Sequence, residues 1–179
     1  MTQHEYIFVA VSIILGLALT RVLHSASLLV RAHSRVSFHW ASALWGLTVM
    51  AYILQLWWVG WRLRDLPNWG FSDFLTLVVG SIFVYGSAEL ALPDPSESDL
   101  DMLSHNQRLG RLSAVSMLAY FLIGPYVNYV MFGVDLVPAL VFPALGVALM
   151  ALVIAVPSRF VIWSPIFSGY TLLILNLTI

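Results

Sequence analysis

The 179-residue sequence is 60% hydrophobic and 9% charged, and its mean hydropathy of +0.90 excludes a water-soluble domain, in which about 25% of residues are charged. The absence of cysteine excludes a disulfide framework, a thiolate metal site and a cysteine nucleophile. A net charge of -1 with no run of basic residues excludes an ordinary nucleic-acid-binding surface, so we expect no nucleic-acid partner.

Long apolar runs dominate the sequence and predict an all-α, polytopic integral membrane protein with about six transmembrane helices in one bundle. Runs without alternating polarity favour helices over a barrel, and a transmembrane helix needs about 20 such residues. The one substantial connection is an acidic loop over residues 93–109, which has room for a short surface helix with acids at its start. The predicted helices lie near residues 5–32, 38–63, 72–92, 110–133, 136–156 and 159–179, in a single domain over residues 1–179.

The first predicted helix carries a charged residue, Arg21, deep in an otherwise apolar run. Because no basic segment precedes this run, we expect a retained helix rather than a cleaved signal peptide. Glu89 lies at a similar depth in the third helix, which runs in the same direction, so the two side chains can meet if these helices are neighbours. An isolated charge at such depth costs about 2.5–3.5 kcal/mol on insertion scales, which favours pairing. The two residues form a structural ion pair, or a protonatable carboxylate beside a fixed cation, or they extend separately to the membrane surface.

A polar stripe follows one face of the first helix around Arg21, at a spacing near i, i+4 and i+7. On the third helix, Tyr85 aligns with Glu89 in the same way. Small and hydroxyl residues at this spacing are typical of close helix packing in lipid, and a water-filled path is the alternative. His24 is then either hydrogen-bonded within the bundle or a proton relay beside Glu89. The stripe consists of Glu5, Ser12, Gly16, Thr20, His24, Ser27 and Arg31.

Phe71, Ser72 and Asp73 open the third predicted helix. These residues resemble part of the Arg-x-x-x-Phe-Ser-Asp signature of a small six-helix potassium-channel family. Position 67 is Pro rather than Arg, however, and the motif opens the third helix instead of the first. A helix start in which Ser72 or Asp73 satisfies free backbone N–H groups explains the three residues better, so the sequence assigns no family.

The second half of the chain carries prolines in its apolar runs instead of deep charges. Gly124 and Pro125 lie near the middle of the fourth predicted helix, and Pro143 lies in the fifth. Proline removes a backbone donor and kinks a helix, so these residues predict helix breaks. Such breaks are either tolerated kinks or midplane sites where freed carbonyls coordinate an ion, as in some transporters.

Arginine placement predicts the orientation of the chain, since all eight basic residues are arginines. Five of them lie in the connections after the first, third and fifth helices, whereas the connections after the second and fourth carry only Arg62 and Arg64. Because cytoplasmic loops are enriched in basic residues, this asymmetry predicts that both termini face outward. The short loops favour a bacterial protein integrated into the inner (plasma) membrane, with the lipid bilayer as its first partner.

Common enzyme motifs are missing, including Gly-x-Ser-x-Gly, His-Glu-x-x-His and the P-loop, so we expect no enzyme activity, no cofactor and no metal site. The leading hypothesis is a small membrane transport or channel protein for a proton, an ion or a small solute, with a polar path along the first and third helices. The rival is a non-catalytic subunit or assembly factor of a larger membrane complex. Six spans enclose little room, so we expect a homo-oligomer or partner subunits.

Overall fold

The long apolar runs fold as helices, and short turns and capped ends separate them. The computed structural model describes residues 2–66, 68–95 and 100–178. Six helices in this part of the chain are long and apolar enough to cross a membrane, which confirms that element of the prediction. The helices are α1 (Gln3–Arg31), α2 (Trp40–Arg62), α3 (Phe71–Ala91), α4 (Met102–Arg108), α5 (Gly110–Tyr126), α6 (Leu136–Ala155) and α7 (Phe160–Thr178), and the two short strands are β1 (Val36–Ser37) and β2 (Leu100–Asp101).

The start of α3 shows what Asp73 does in the local sequence. Its Oδ2 accepts a hydrogen bond of 2.8 Å from the backbone N–H of Gly70, the residue that precedes the helix. Its Oδ1 accepts a second bond of 2.8 Å from the Tyr126 hydroxyl, which lies at the end of α5. The carboxylate therefore caps one helix and joins it to another, as the interpretation of Phe71–Asp73 as a helix start requires.

Five of the long helices pack in a closed ring. Going around it, α2 contacts α3, α3 contacts α5, α5 contacts α6, α6 contacts α7, and α7 returns to α2. The remaining long helix, α1, packs on the outside of this ring against α3 and α2. Its inward face is mainly apolar and includes the fully buried Val11, Leu15 and Ala18. The ring therefore encloses its own interior without a contribution from α1.

We call the two ends of the bundle the terminal face and the loop face. The terminal face holds the start of α1, the end of α2 and the end of α7. His4 on α1 marks it by contacting the Gly60 carbonyl on α2, Nε2 to O, at 2.9 Å. The loop face holds α4 and the two strands, which pair in parallel with Val36 opposite Leu100.

The predicted acidic loop contains the short helix α4, which packs one face against the loop face of the bundle. Asp101 caps α4 as expected, accepting a 3.0 Å bond from the Leu103 N–H. However, Met102 and Asn106 are buried, and the Asn106 amide donates to the Ala91 carbonyl at the end of α3 over 3.2 Å. The short helix is therefore present with an acid at its start, and its inner face satisfies a free carbonyl of a neighbouring helix. The acids Glu97 and Asp99 lie outside the described residues.

A polar and aromatic cluster fills the ring near the loop face. The Trp45 indole N–H donates to the Ser113 hydroxyl at 3.1 Å, and that hydroxyl donates to the Ser87 carbonyl at 3.0 Å. The Trp45 ring packs against Phe160 and Phe167 with centroids 5.3 and 4.9 Å away. These contacts tie α2, α3, α5 and α7 together and close the ring interior at this end.

Candidate functional site

A cavity of about 360 Å³ lies inside the five-helix ring, toward the terminal face. Its size is within the range of about 300–1,000 Å³ that is usual for small-molecule sites. The walls are mainly apolar and aromatic, and the polar groups are few. The described residues of the lining include Tyr52, Gln55, Arg62, Gly80, Tyr120, Phe121, Gly124, Asn128, Phe132, Phe142, Pro143 and Tyr170.

One face of α2 supplies the polar side of the cavity. Tyr52, Gln55 and Arg62 all line it, because spacings of three and seven residues return to the same side of a helix. At 1.5 Å per residue, Gln55 lies roughly 10 Å deeper than Arg62. Arg62 is exposed at the mouth, where its guanidinium carbon lies 5.0 Å from the centroid of the Phe132 ring. Among the described residues of the lining, the one charged side chain therefore lies at the entrance, and an amide and a phenol lie deeper in the cavity.

Aromatic rings close the inner end of the cavity. Tyr52 is stacked on Phe167 with centroids 5.5 Å apart and meets Phe121 edge-on at 5.4 Å. Tyr170 on the opposite wall donates its hydroxyl proton to the Phe142 carbonyl at 2.7 Å, which joins α7 to α6. Together with the Trp45 cluster beyond it, this floor separates the cavity from the loop face.

The wall formed by α5 and α6 contains the residues predicted as helix breaks. Gly124 packs on Pro143, and a Cβ added at Gly124 would lie 2.9 Å from the proline ring. After Pro125, α5 changes into a π-helical segment at Val127–Met131, which ends in a turn at Gly133 with a positive φ of 64°. The same region places Asn128 in the cavity wall. In α6 the helix continues through Pro143 without interruption.

The structure brings Arg21 and Glu89 into contact, as their depths suggested. Arg21 Nε lies 3.0 Å from Glu89 Oε1, and Arg21 Nη2 lies 3.4 Å from Asp94 Oδ2 in the connection after α3. The Nε–H is not aligned for a hydrogen bond, so the first contact is an ion pair by distance. The side chains of Arg21 and Glu89 are 27% and 38% exposed. The pair thus lies at the end of α3 and the surface of the bundle, outside the ring.

We expect this ion pair to contribute to stability. Replacing Arg21 with Met should lower the free energy of unfolding by about 1 kcal/mol, because the side chains are partly exposed and two carboxylates lose their common cation. Thermal unfolding in mild detergent measures the effect. The double variant Arg21→Glu, Glu89→Arg should regain part of the stability that either single variant loses.

A matched control for this prediction exists in the connection after α2. Arg64 pairs with Asp65 at 3.3 Å, and both side chains are more exposed than those of the Arg21 pair. Arg64→Met should therefore leave the unfolding temperature unchanged. Equal unfolding temperatures of the Arg21→Met and Arg64→Met variants would contradict a structural role for the Arg21 pair.

The polar stripe of α1 faces away from the bundle. Thr20, His24 and Ser27 are exposed, and a Cβ added at Gly16 would meet nothing within 4 Å. Two hydroxyls of the stripe are satisfied by their own helix, since Thr20 donates to the Gly16 carbonyl at 2.8 Å and Ser27 to the His24 carbonyl at 2.7 Å. Ser12 lies on the same outer side, beside a shallow surface pocket. The stripe therefore does not face the ring interior, and Tyr85 on α3 is a half-buried part of the packed core.

No protein-family model matches the chain, and neither a curated protein nor a solved structure is significantly similar to it.

Two residues of the cavity, Tyr52 and Gln55, did not stand out from the sequence. Gln55 is the one carboxamide of α2 and lies amid an apolar stretch, three residues after Tyr52. An uncharged amide in such a stretch is a weaker signal than a charge, although it carries the same need for a partner in an apolar setting. A search for isolated amides as well as charges would have found it.

Proposed function

We propose that the chain is an integral membrane protein of a bacterial inner membrane, with the terminal face outward. The six long apolar helices support insertion. The arginine-rich loop face supports the orientation, since basic residues favour the cytoplasmic side. In this orientation the cavity opens toward the outside, and α4 lies on the cytoplasmic side.

The function that this geometry supports best is transport or channel activity for a small solute. The observation that carries the proposal is a cavity inside a closed ring of helices, open toward one face and closed toward the other by aromatic side chains. A carrier needs such a one-sided site before it changes conformation. We place the path in this cavity rather than along α1 and α3, because the α1 stripe faces outward and its exposed hydroxyls are satisfied locally.

The outer surface of α1 favours a second candidate, a non-catalytic subunit or assembly factor. Gly16 is open on this surface, and small residues follow it at the spacing that close helix packing uses. A neighbouring helix on this stripe would belong to a second copy of the chain or to a partner subunit. Recovery of a stoichiometric, unrelated subunit after purification in mild detergent would favour this candidate.

Flux through purified protein in liposomes tests the transport proposal. Trapped dyes follow protons, potassium and chloride, and light scattering follows the shrinking and swelling caused by urea, acetamide and glycerol. We expect at least one neutral solute to cross roughly tenfold faster than in liposomes without protein, because the cavity walls are mainly uncharged. Rates equal to those of empty liposomes for every solute would contradict the proposal.

A further inference from the structure

Two side chains that line the cavity, Gln55 and Tyr52, each carry a buried polar atom with no hydrogen-bond partner among the described residues, namely Gln55 Oε1 and Tyr52 Oη. Both side chains are almost entirely buried, with 7% and 1% of their surfaces exposed, and both line the cavity. Buried polar groups in folded proteins are nearly always paired. These two atoms lie on one face of α2, one helical turn apart, so one molecule in the cavity could satisfy both.

The surroundings of Gln55 Oε1 leave its pairing to a ligand. Thr171 lies beside Tyr52 and donates its own proton to the Phe167 carbonyl at 2.8 Å. The Thr171 oxygen faces Tyr52 without the alignment of a hydrogen bond, so the Tyr52 oxygen stays available to a ligand as an acceptor. An amide presents both donors and an acceptor, and a phenol can donate or accept. The group that pairs with them best is one that also donates and accepts, such as an amide or a hydroxyl.

Charge in the cavity favours an uncharged ligand. Of the described residues that line it, Arg62 is the only charged one, and it lies at the mouth. A cationic ligand would meet no carboxylate among the described residues of the cavity wall. An anionic ligand at the depth of Gln55 would lie roughly 10 Å from that arginine, without a counter-ion.

The shape of the cavity walls favours a ligand whose apolar part is a flat ring or a short chain. Tyr52, Tyr120 and Phe121 form a group of rings with centroid separations of 5.4–5.8 Å. Aromatic side chains at such distances offer edges and faces to a further ring. Phe142 and Tyr170 line the other side of the cavity.

We infer that the cavity binds an uncharged molecule with an aromatic or short apolar body and an amide or hydroxyl group, which pairs with Gln55 and Tyr52. The inference rests on the proposed function in one respect, that this cavity is the substrate site. It adds the chemical class of the substrate and the residues that select it.

Binding of four matched probes tests the inference on the whole protein in lipid nanodiscs. Benzamide, benzoate, benzylammonium and toluene share a ring and differ in the group attached to it. Calorimetry, with nanodiscs lacking protein as the blank, should show benzamide binding about tenfold tighter than each of the others. Gln55→Met should weaken benzamide binding about tenfold and leave toluene binding unchanged, and Tyr52→Phe should weaken benzamide binding about threefold.

Gln107→Met is the matched control, because Gln107 lies on α4 and its amide bonds the Ser158 carbonyl at the loop face. This variant should bind benzamide like the unmodified protein. Equal affinity for the charged probes, an unchanged affinity in Gln55→Met, or no benzamide binding above the blank would overturn the inference. Should Gln55→Met fail to fold, the ranking of the four probes on the unmodified protein still decides. If benzamide binds selectively but no solute crosses the liposome membrane, the transport proposal is rejected and this inference stands. If a solute crosses but benzamide does not bind selectively, this inference is rejected and the transport proposal stands.

Discussion

Liposomes that contain the Gly80→Phe variant should lose at least about 90% of the solute flux of the unmodified protein, because the new ring would occupy the cavity. Gly80 lines the cavity, and an added Cβ there would meet only Tyr120, at 4.0 Å. The backbone can therefore accept the side chain without a clash at its first atom. Size-exclusion chromatography before reconstitution shows whether the variant is folded.

Gly16→Phe is the matched control for the blocked cavity, since Gly16 lies on the open outer side of α1. The same substitution there should leave flux unchanged. The pair of variants also separates two locations for the path. Loss of flux in Gly16→Phe or Glu89→Gln, with flux retained in Gly80→Phe, would move the path from the ring interior to the interface of α1 and α3.

Trp45→Ala should cause the largest loss of stability, about 3–5 kcal/mol, because it leaves a large hole in the packed interior. The Trp45 side chain is completely buried, packs on two phenylalanine rings and donates a hydrogen bond to Ser113. The unfolding temperature in mild detergent should fall by about 10 °C. Fluorescence-detected size-exclusion chromatography after heating measures the shift.

Trp58 provides the comparison for this prediction, since it lies on the same helix and is 48% exposed. Trp58→Ala should change the unfolding temperature by less than about 2 °C, because an exposed ring leaves no hole. A similar fall in unfolding temperature in the two variants would mean that the Trp45 cluster does not stabilise the loop face.

The helices and the Arg21–Glu89 contact could be predicted from the sequence for one physical reason. Charged residues in apolar runs are rare, because burying an unpaired charge in an apolar setting costs free energy. Two such residues at matching depths in helices that run in the same direction are therefore expected to pair. The positions of the six long helices could likewise be predicted from the lengths of the apolar runs. Both predictions depend on polarity along the chain, which the sequence displays directly.

The arrangement around the cavity could not be predicted, because an apolar residue does not reveal which side of a helix is inside. Leu15 is fully buried, whereas Leu17 on the same helix is 57% exposed. In lipid both environments suit leucine, so the amphipathic pattern that orients helices in water is weak. For the same reason the outward direction of the α1 stripe and the burial of Met102 on α4 required the structure.

The position of α1 outside the ring sets an order of events during synthesis. Arg21 leaves the ribosome 68 residues before Glu89. At a synthesis rate of about 5–20 residues per second, Glu89 is made roughly 3–14 s after Arg21. During that interval α1 lacks both its counter-charge and the surface of α3 on which it packs. We therefore expect a chain whose synthesis stalls between α1 and α3 to expose an unpaired Arg21 guanidinium.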